Sequence, residues 1–205
     1  MARPSLVSEK RKELLPVVAR AFAEMGYRRT TTADLARRCG VRENILYRLW
    51  PDKKAMFVAA IDYVFDLSVE TWAKLLEQPV RRQSAARKLL EHEASHHGEL
   101  GLYRIVFAGL SETDDREIRE ALGRMYEHFQ KFIREQIEEH RKGLDGGDRG
   151  KVTSMSAAWA VIGLGTVANI GRELGLMDDA DRRRLMEQAG RCLLDAGGEK
   201  KGQSS

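Results

Sequence analysis

Residues 26–55 read GYRRTTTADLARRCGVRENILYRLWPDKKA, and this stretch carries the pattern that decides the fold. Thr31, with Asp34 three residues later, is typical of a helix start, because the two side chains cap each other's backbone amides. Leu35 gives this helix an apolar inner side, and Gly40 stands where glycine commonly ends a helix. The first half of the stretch therefore predicts a short helix followed by a tight turn.

The second half predicts another short helix, from about Arg42 to Leu49, with Leu46 on its inner side. Two short helices joined by a glycine turn form a helix-turn-helix, whose second helix enters the major groove of DNA by its N-terminal residues. Arginine can read guanine there, and asparagine can read adenine. An ordinary helical hairpin with a polar exterior has the same topology, so topology alone leaves both interpretations open. The outward-facing residues of the second helix are Arg42, Glu43, Asn44, Tyr47 and Arg48.

Charge is distributed unevenly along the 205 residues. Residues 1–55 contain 13 Lys and Arg against 6 Asp and Glu, a net charge of +7, whereas the remainder of this +4 chain carries −3. Such asymmetry favours an anionic partner for the first segment, although a solvated basic surface gives the same composition. Elsewhere apolar residues recur at helical spacing and no stretch alternates as a strand would. We therefore predict an all-α protein of about nine helices.

The spacing of about a dozen residues resembles the TetR family of bacterial transcriptional regulators. The resemblance implies a three-helix DNA-binding domain over residues 1–55 and a larger C-terminal regulatory and dimerisation domain over 56–197, followed by a disordered tail over 198–205. It also implies a dimer that binds a palindromic operator on double-stranded DNA, most often as a repressor released by a small-molecule effector. The matching positions are Gly26-Tyr27, Thr30-Thr31, Asp34-Leu35-Ala36, Gly40-Val41, Leu46-Tyr47, Pro51 and Lys53.

The same resemblance implies roles for single residues. Thr31 and the start of its helix correspond to phosphate contacts, and Tyr47 and Lys53 correspond to residues that meet the DNA backbone. The sequence departs from the family pattern at Arg42, where a capping serine is usual, and at Asn44, where a small residue is frequent. We therefore expect the operator sequence to be this protein's own.

Aromatic residues and a histidine in the C-terminal domain are candidates to line a ligand cavity, since such cavities are largely apolar with a few polar groups. A filled core is the better explanation of each of them taken singly, and the resemblance implies a cavity that some of them line. His96 and the neighbouring His97 are the candidate polar groups. The predicted ligand-binding residues are Tyr63, Trp72, His96, Tyr103, Phe107, Phe129 and Trp159.

The last two predicted helices, Val152 to Leu174 and Ala180 to Ala196, are the candidates for the dimer interface. The first is rich in Ala and Gly, which permits close approach of another helix. The second offers a connected side that includes Met186 and Ala189. Packing within one chain explains both patterns equally well. The resemblance implies pairing of these helices with a second copy, and pairing is favoured mainly because one short helix binds DNA weakly and a two-fold operator doubles the contact.

A competing interpretation rests on His92-Glu93-Ala94-Ser95-His96, which matches the zinc-hydrolase helix pattern H-E-x-x-H. Two histidines one turn apart can hold zinc while the glutamate activates a water, as an enzyme or as a metal sensor. A coincidental polar helix is the alternative, and we expect no metal, no cofactor and no catalytic residue. Three acidic residues downstream are candidates for the third ligand: Glu112, Glu117 and Glu120.

Other classes of protein find no support in the sequence. The longest uncharged apolar run, Ala157 to Ile170, is shorter than the ~18 residues of a membrane helix, and no apolar signal-peptide core precedes the first charges. The two cysteines, Cys39 and Cys192, are far apart and are expected to be reduced, buried packing residues. We expect a cytoplasmic protein without a membrane partner.

Overall fold

The computed structural model describes residues 6–77, 83–144 and 152–196, and within these ranges it contains helices and no strand. This confirms the all-α prediction, and the predicted tail at 198–205 lies outside the described residues. In chain order the helices are α1 (Leu6–Met25), α2 (Thr32–Cys39), α3 (Glu43–Leu49), α4 (Lys53–Leu76), α5 (Ala85–His96), α6 (Tyr103–Leu110), α7 (Arg116–Lys142), α8 (Ser154–Glu173) and α9 (Asp179–Asp195).

The chain divides into two compact units. The first comprises residues 1–69 and 100–126, and the second comprises 70–99 and 127–205. Helices α4 and α7 therefore each contribute to both units. This division follows packing, whereas the domain boundary expected after residue 55 is a functional one and stays a prediction.

The core of the first unit forms around α1, which packs against α2, α3 and α6. Phe22 and Phe57 meet edge to face at 5.0 Å between ring centroids, and Tyr27 lies 4.7 Å from Phe57. Leu35 of α2 and Leu46 of α3 are fully buried. Each short helix is thus held by one apolar side.

Local signals in the sequence set the limits of α2 and α4. Thr31 Oγ1 accepts from the amide of Asp34, and the Asp34 carboxylate accepts from the amide of Thr31, so the predicted reciprocal cap is present. Gly40 ends α2 with φ +64°, a left-handed conformation that glycine adopts readily. The Asp52 carboxylate accepts from the amide of Ala55 at 2.7 Å and caps the start of α4.

Ion pairs connect the helix-turn-helix segment to α6 and α7 within the first unit. The Lys54 ammonium lies 3.2 Å from Asp115 and 2.6 Å from Glu117, and Arg28 lies 2.6 Å from Glu112. Exposed ion pairs of this kind contribute little stability individually. Their effect is on orientation, because α4 begins beside the first turn of α7.

The second unit is built on α9, which packs against both α5 and α8. Arg141 of α7 is fully buried, and its guanidinium donates to the carbonyls of Val152, Leu193 and Leu194 at 2.8, 3.0 and 3.2 Å. A buried charge is tolerated only when it is hydrogen-bonded. Arg141 thereby connects Val152, which precedes α8, with the last turn of α9.

Helix α8 corrects one expectation. Over the described residues it is the one helix long and apolar enough to cross a membrane, with a mean hydropathy of 1.2 over 18 residues. The run from Ala157 to Ile170 was too short by itself, whereas an 18-residue window of the whole helix reaches this hydropathy. Packing of α8 on α9 accounts for its buried side, which holds Ala157, Ala158 and Ala168.

Leu46→Ala should destabilise the protein by about 2–5 kcal/mol, because it leaves a cavity between α1, α2 and α3. Urea unfolding followed by circular dichroism measures the loss. Leu110→Ala is the matched control, since Leu110 of α6 is 48% exposed and the same atoms are removed from a surface site. Equal effects of the two substitutions would contradict the assignment of Leu46 to the core.

Candidate nucleic-acid interface and effector region

The outer side of α3 presents the residues that the sequence predicted to meet DNA. Arg42, Glu43, Asn44, Tyr47 and Arg48 are all exposed. Arg42 occupies the position before the first turn of α3 and makes no side-chain cap to it. Its guanidinium is therefore not engaged in capping, and contact of these residues with DNA stays a prediction.

A small polar network fixes α3 against the start of α2. The Tyr47 hydroxyl donates to Thr32 Oγ1 at 3.2 Å, and the Thr32 hydroxyl donates to the Glu43 carboxylate at 2.8 Å. Glu43 thereby accepts a hydrogen bond within the chain. This bond gives a structural reason for an acidic residue on the surface that is predicted to meet anionic DNA. Sequence reasoning missed Thr32, although its place in the first turn of α2 is a usable signal.

Lys53 lies at the junction of α1, α2 and α4. Its ammonium donates to the carbonyls of Tyr27 and Thr30, both at 3.1 Å, and lies 4.5 Å from the centroid of the Tyr27 ring. An ammonium has three donors, so one remains for a phosphate. Thr31, the adjacent residue, caps α2 and lies at an amide-rich helix start, which is favourable for phosphate.

The residues predicted to line a ligand cavity divide between the two units. Tyr63, Tyr103 and Phe107 belong to the first unit, where the last two rings meet edge to face at 5.7 Å. In the second unit Trp159 is 47% exposed and His96 is exposed. The binding role of each of these residues stays a prediction.

Trp72, another member of that predicted set, is buried in the second unit. Its ring stacks on Phe132 at 4.8 Å between centroids and meets Phe129 at 5.9 Å. The indole N–H donates to the Glu93 carboxylate at 2.7 Å. Trp72 thus packs into an aromatic cluster and connects α4 to α5.

Glu93 and His97 form a polar network with α8. His97 Nδ1 lies 2.8 Å from the Glu93 carboxylate, which can only accept, so Nδ1 donates. His97 Nε2 lies 3.1 Å from Asn169 Nδ2 and 3.2 Å from the carbonyl oxygen of Gly165. A neutral ring can accept from the amide, whereas a protonated ring can donate to the carbonyl. Both protonation states of His97 therefore have a partner on α8.

Gly165 is required at this contact. A Cβ added there would lie 2.8 Å from His97 Nε2, closer than real Cβ contacts come. Any side chain at residue 165 must therefore displace the imidazole or α8. This dependence explains one of the glycines that sequence reasoning had assigned only to helix–helix approach.

The side chains of residues 92–96 are not arranged as the zinc interpretation requires. His92 and His96 stack on each other at 4.5 Å between centroids, and the Glu93 carboxylate is engaged by Trp72 and His97. Over the described ranges, no group of three His, Cys, Asp or Glu side chains is arranged to hold a metal ion. The downstream acidic residues belong instead to the first unit: Glu112, Glu117 and Glu120.

The second unit contains a cavity of about 230 Å³ between α5, α8 and α9. Three arginines line it, together with His97 and two acidic residues, over a floor that includes Met186. Sequence reasoning anticipated His97 and none of the arginines. The lining residues are Ala94, Ser95, His97, Glu99, Ala168, Arg172, Asp179, Arg182, Arg183 and Met186.

A short second helix with a buried inner side and polar and basic residues outward is the arrangement of a helix-turn-helix. Residues 15–60 match the model of bacterial regulatory proteins of the tetR family. The nucleoid occlusion factor SlmA of Vibrio vulnificus is 26% identical over 136 residues, which are 65% of this chain and 69% of that protein. With the fold described above, these matches confirm the resemblance to the TetR family, which the family model finds in residues 15–60.

Solved structures agree with this fold over nearly the whole chain. A TetR-family transcriptional regulator from Cytophaga hutchinsonii superposes with a TM-score of 0.74 at 17% identity, covering 98% of this chain and 100% of that one. A regulator from Saccharomonospora viridis, solved in complex with choline, gives a TM-score of 0.72 at 18% identity and covers 94% and 100% of the two chains. The likeness therefore extends through the C-terminal helices.

The Glu93 network predicts a pH dependence of stability. Burial alone would raise the pKa of Glu93, but the hydrogen bond and charge of His97, with the indole of Trp72, hold it below its ordinary value. Its contribution is therefore present above the unfolded-state pKa of about 4.3 and is lost as pH falls through the folded-state value. Glu93→Gln should cost roughly 1–3 kcal/mol above about pH 5, and the difference from wild type should shrink toward pH 3.

Urea unfolding between pH 3 and pH 7 measures this difference. Glu91→Gln is the control, because Glu91 is an exposed residue of the same helix. A Glu93→Gln difference that stays constant over this range would contradict a charged role for the carboxylate.

Proposed function

We propose that the protein is a ligand-responsive transcriptional regulator, and a repressor, that binds a palindromic operator as a homodimer and is released by a small molecule. The observation that carries the proposal is the exposed row of Arg42, Asn44 and Tyr47 on a helix whose inner side is buried. The protein acts in the cytoplasm, where the chromosome lies, and it acts by binding rather than by catalysis.

The geometry of α3 and the charge of the N-terminal segment both favour DNA as the partner. Arg42 and Asn44 stand at the N-terminal end of α3, the end that enters the major groove in this motif. Thr31, Tyr47 and Lys53 flank it with an amide-rich helix start, a hydroxyl and an ammonium, which are groups that hold phosphate. The net charge of +7 on residues 1–55 supplies the long-range attraction.

The exposed side of α8 favours a homodimer. Residues on one side of this helix remain exposed, although they are large and apolar, and such patches mark interaction surfaces. Gly163 lies on the same side, and a Cβ added there would meet nothing within 4 Å, so its own chain does not require a glycine at that position. A second copy approaching closely explains both features. The exposed apolar residues are Met155, Trp159, Val167, Ile170 and Leu174.

The neighbouring side of α9 continues this surface. Leu185 and Ala189 are half-buried, and Cys192 is exposed, which corrects the expectation that this cysteine is buried. Met186 instead faces inward and packs with Ala94 and Ala168, so it is removed from the interface side proposed for α9. A four-helix contact of α8 and α9 with their copies buries the exposed row of both helices.

Regulation follows from two states of the dimer. An effector that binds one state more tightly shifts the population toward that state. If the two copies of α3 are wrongly spaced in that state, operator binding weakens, and the loss is limited by the effector's preference for that state over the other. The two halves of the operator are bound together only when the two DNA-binding domains of the dimer have the right separation. Small changes in the C-terminal helices can therefore decide DNA affinity.

A second candidate function comes from the curated relatives, which are nucleoid occlusion factors. A factor that acts through the nucleoid as a whole would occupy sites dispersed over the chromosome, whereas a regulator occupies sites at promoters. Chromatin immunoprecipitation followed by sequencing distinguishes the two by the number and position of the sites. Dispersed sites remote from promoters would favour the second candidate.

Base-reading and phosphate-holding residues should respond differently to substitution. Arg42→Ala or Asn44→Ala should relax sequence preference and weaken operator binding by roughly 1–3 kcal/mol for each base that is no longer read by two hydrogen bonds. Lys53→Ala should instead weaken binding to all duplexes and reduce the slope of log affinity against log salt by about 0.9. Fluorescence anisotropy with operator and scrambled duplexes at several salt concentrations measures both effects. Unchanged preference and affinity in Arg42→Ala would show that the reading helix is misplaced by at least one residue.

Ala189→Glu should give monomers, because the carboxylate would be buried unpaired at the dimer contact. Sedimentation velocity over a range of concentrations measures association, and operator binding should be lost with it while the helix content is kept. Ala180→Glu is the matched control, since Ala180 is exposed at the start of the same helix. A dimer that survives Ala189→Glu with full DNA affinity would remove α9 from the interface.

A further inference from the structure

The small cavity between α5, α8 and α9 is lined by many charged side chains. Its volume of about 230 Å³ is below the ~300–1,000 Å³ of cavities that hold drug-sized ligands. Arg172, Arg182 and Arg183 outnumber Glu99 and Asp179 on the wall, so the formal charge is positive before His97 is counted. The space is suited to a small molecule that brings negative charge.

Two of the arginines are held in place by the protein itself. The Arg182 side chain is 11% exposed, donates to the carbonyl of Met177 at 2.8 Å and pairs with Asp179. Arg172 donates through Nη2 to the carbonyl of His97 at 2.7 Å. Their guanidinium groups therefore bind without the entropy cost of ordering a long side chain.

One donor on this wall has no partner. Within the described part of the chain, Arg172 Nε is buried and makes no hydrogen bond. A buried unsatisfied donor is costly, and on a charged group the cost is larger. Planar guanidinium groups match carboxylate and phosphate oxygens, so an oxyanion in the cavity is a suitable partner for Arg172 while Nη2 keeps its bond to His97.

We propose that this cavity binds a small organic anion, a carboxylate or a phosphate monoester with a short apolar part, and that this anion is the effector. The charged end meets Arg172, Arg182 and Arg183, and the apolar part lies against Ala168 and Met186. The effector role rests on the proposed regulatory function, whereas the binding site rests on the cavity alone. The site is separate from the exposed row of α8 proposed for dimerisation.

The binding site is tested on the free protein with succinate and inorganic phosphate as probes. In ¹H–¹⁵N spectra we expect saturable shifts centred on the Nε–Hε signal of Arg172 and the amides around His97 and Arg183. Sodium chloride at equal ionic strength and succinamide are the controls, and neither should reproduce them. Shifts of equal size with either control would overturn the proposal, because they would reflect screening or the carbon chain rather than the anion.

Substitutions then locate the site. Arg183→Gln and Arg172→Gln should each weaken the binding of succinate by roughly tenfold, as expected when one charge-assisted hydrogen bond is removed. Arg184→Gln is the matched control, because it removes the same charge one residue away on α9 and does not line the cavity. Arg183 is exposed, so its substitution keeps the test valid even when Arg172→Gln disturbs the fold. Wild-type affinity in both cavity variants would overturn the site.

The effector role is tested by repeating the operator titration with saturating succinate. A change in operator affinity that Arg183→Gln reduces and Arg184→Gln retains supports the proposal, and binding of the anion without any such change overturns the effector role. Absence of operator binding under every condition would count against the proposed regulatory function instead. It would leave the anion site standing, because the spectra are recorded without DNA.

Discussion

Burial of one side of α3 is the constraint on which the proposed DNA interface depends. A helix of seven residues is not stable in water by itself, so α3 persists only through its packing. Leu46 and Leu49 are buried, and Arg11 donates to the carbonyl of Leu49 at 2.6 Å and holds the C-terminal end of the helix. Since packing fixes the inner side of α3, the orientation of its outer side is fixed as well. Arg42, which precedes the first turn of α3, is therefore presented in one orientation.

The sequence predicted the parts of the fold that local chemistry decides. The reciprocal cap of α2 and its end at Gly40 are contacts within a few residues, so residue identity and spacing suffice. Limits set by less regular turns were predicted less well. Helical periodicity predicts starts at about Arg82 and Leu100 for α5 and α6. Helix α5 instead begins at Ala85 after the cap Ser84, and α6 begins at Tyr103 after the left-handed Gly101.

The candidate effector site could not be predicted because its residues come from three helices that are distant in sequence. The sequence pattern assigned no role to Arg172 or Arg182, whereas in the structure both donate to backbone carbonyls. Helical periodicity shows which residues share a side, but not which element covers it. That limit explains why Met186 and Cys192 of α9 were each assigned to the wrong environment.

Helix α4 gives the proposed coupling a physical route, since energetic coupling travels through contiguous contacts and rigid elements. It is one helix of 24 residues, and its first residue, Lys53, holds the turn before α2 through two carbonyls. Near its other end Trp72 donates to Glu93, which in turn binds His97, whose carbonyl accepts from Arg172. Each link is a short directional bond with few alternative arrangements. Within the second unit, Arg172 is thereby connected through the Glu93–His97 pair to the last turns of α4.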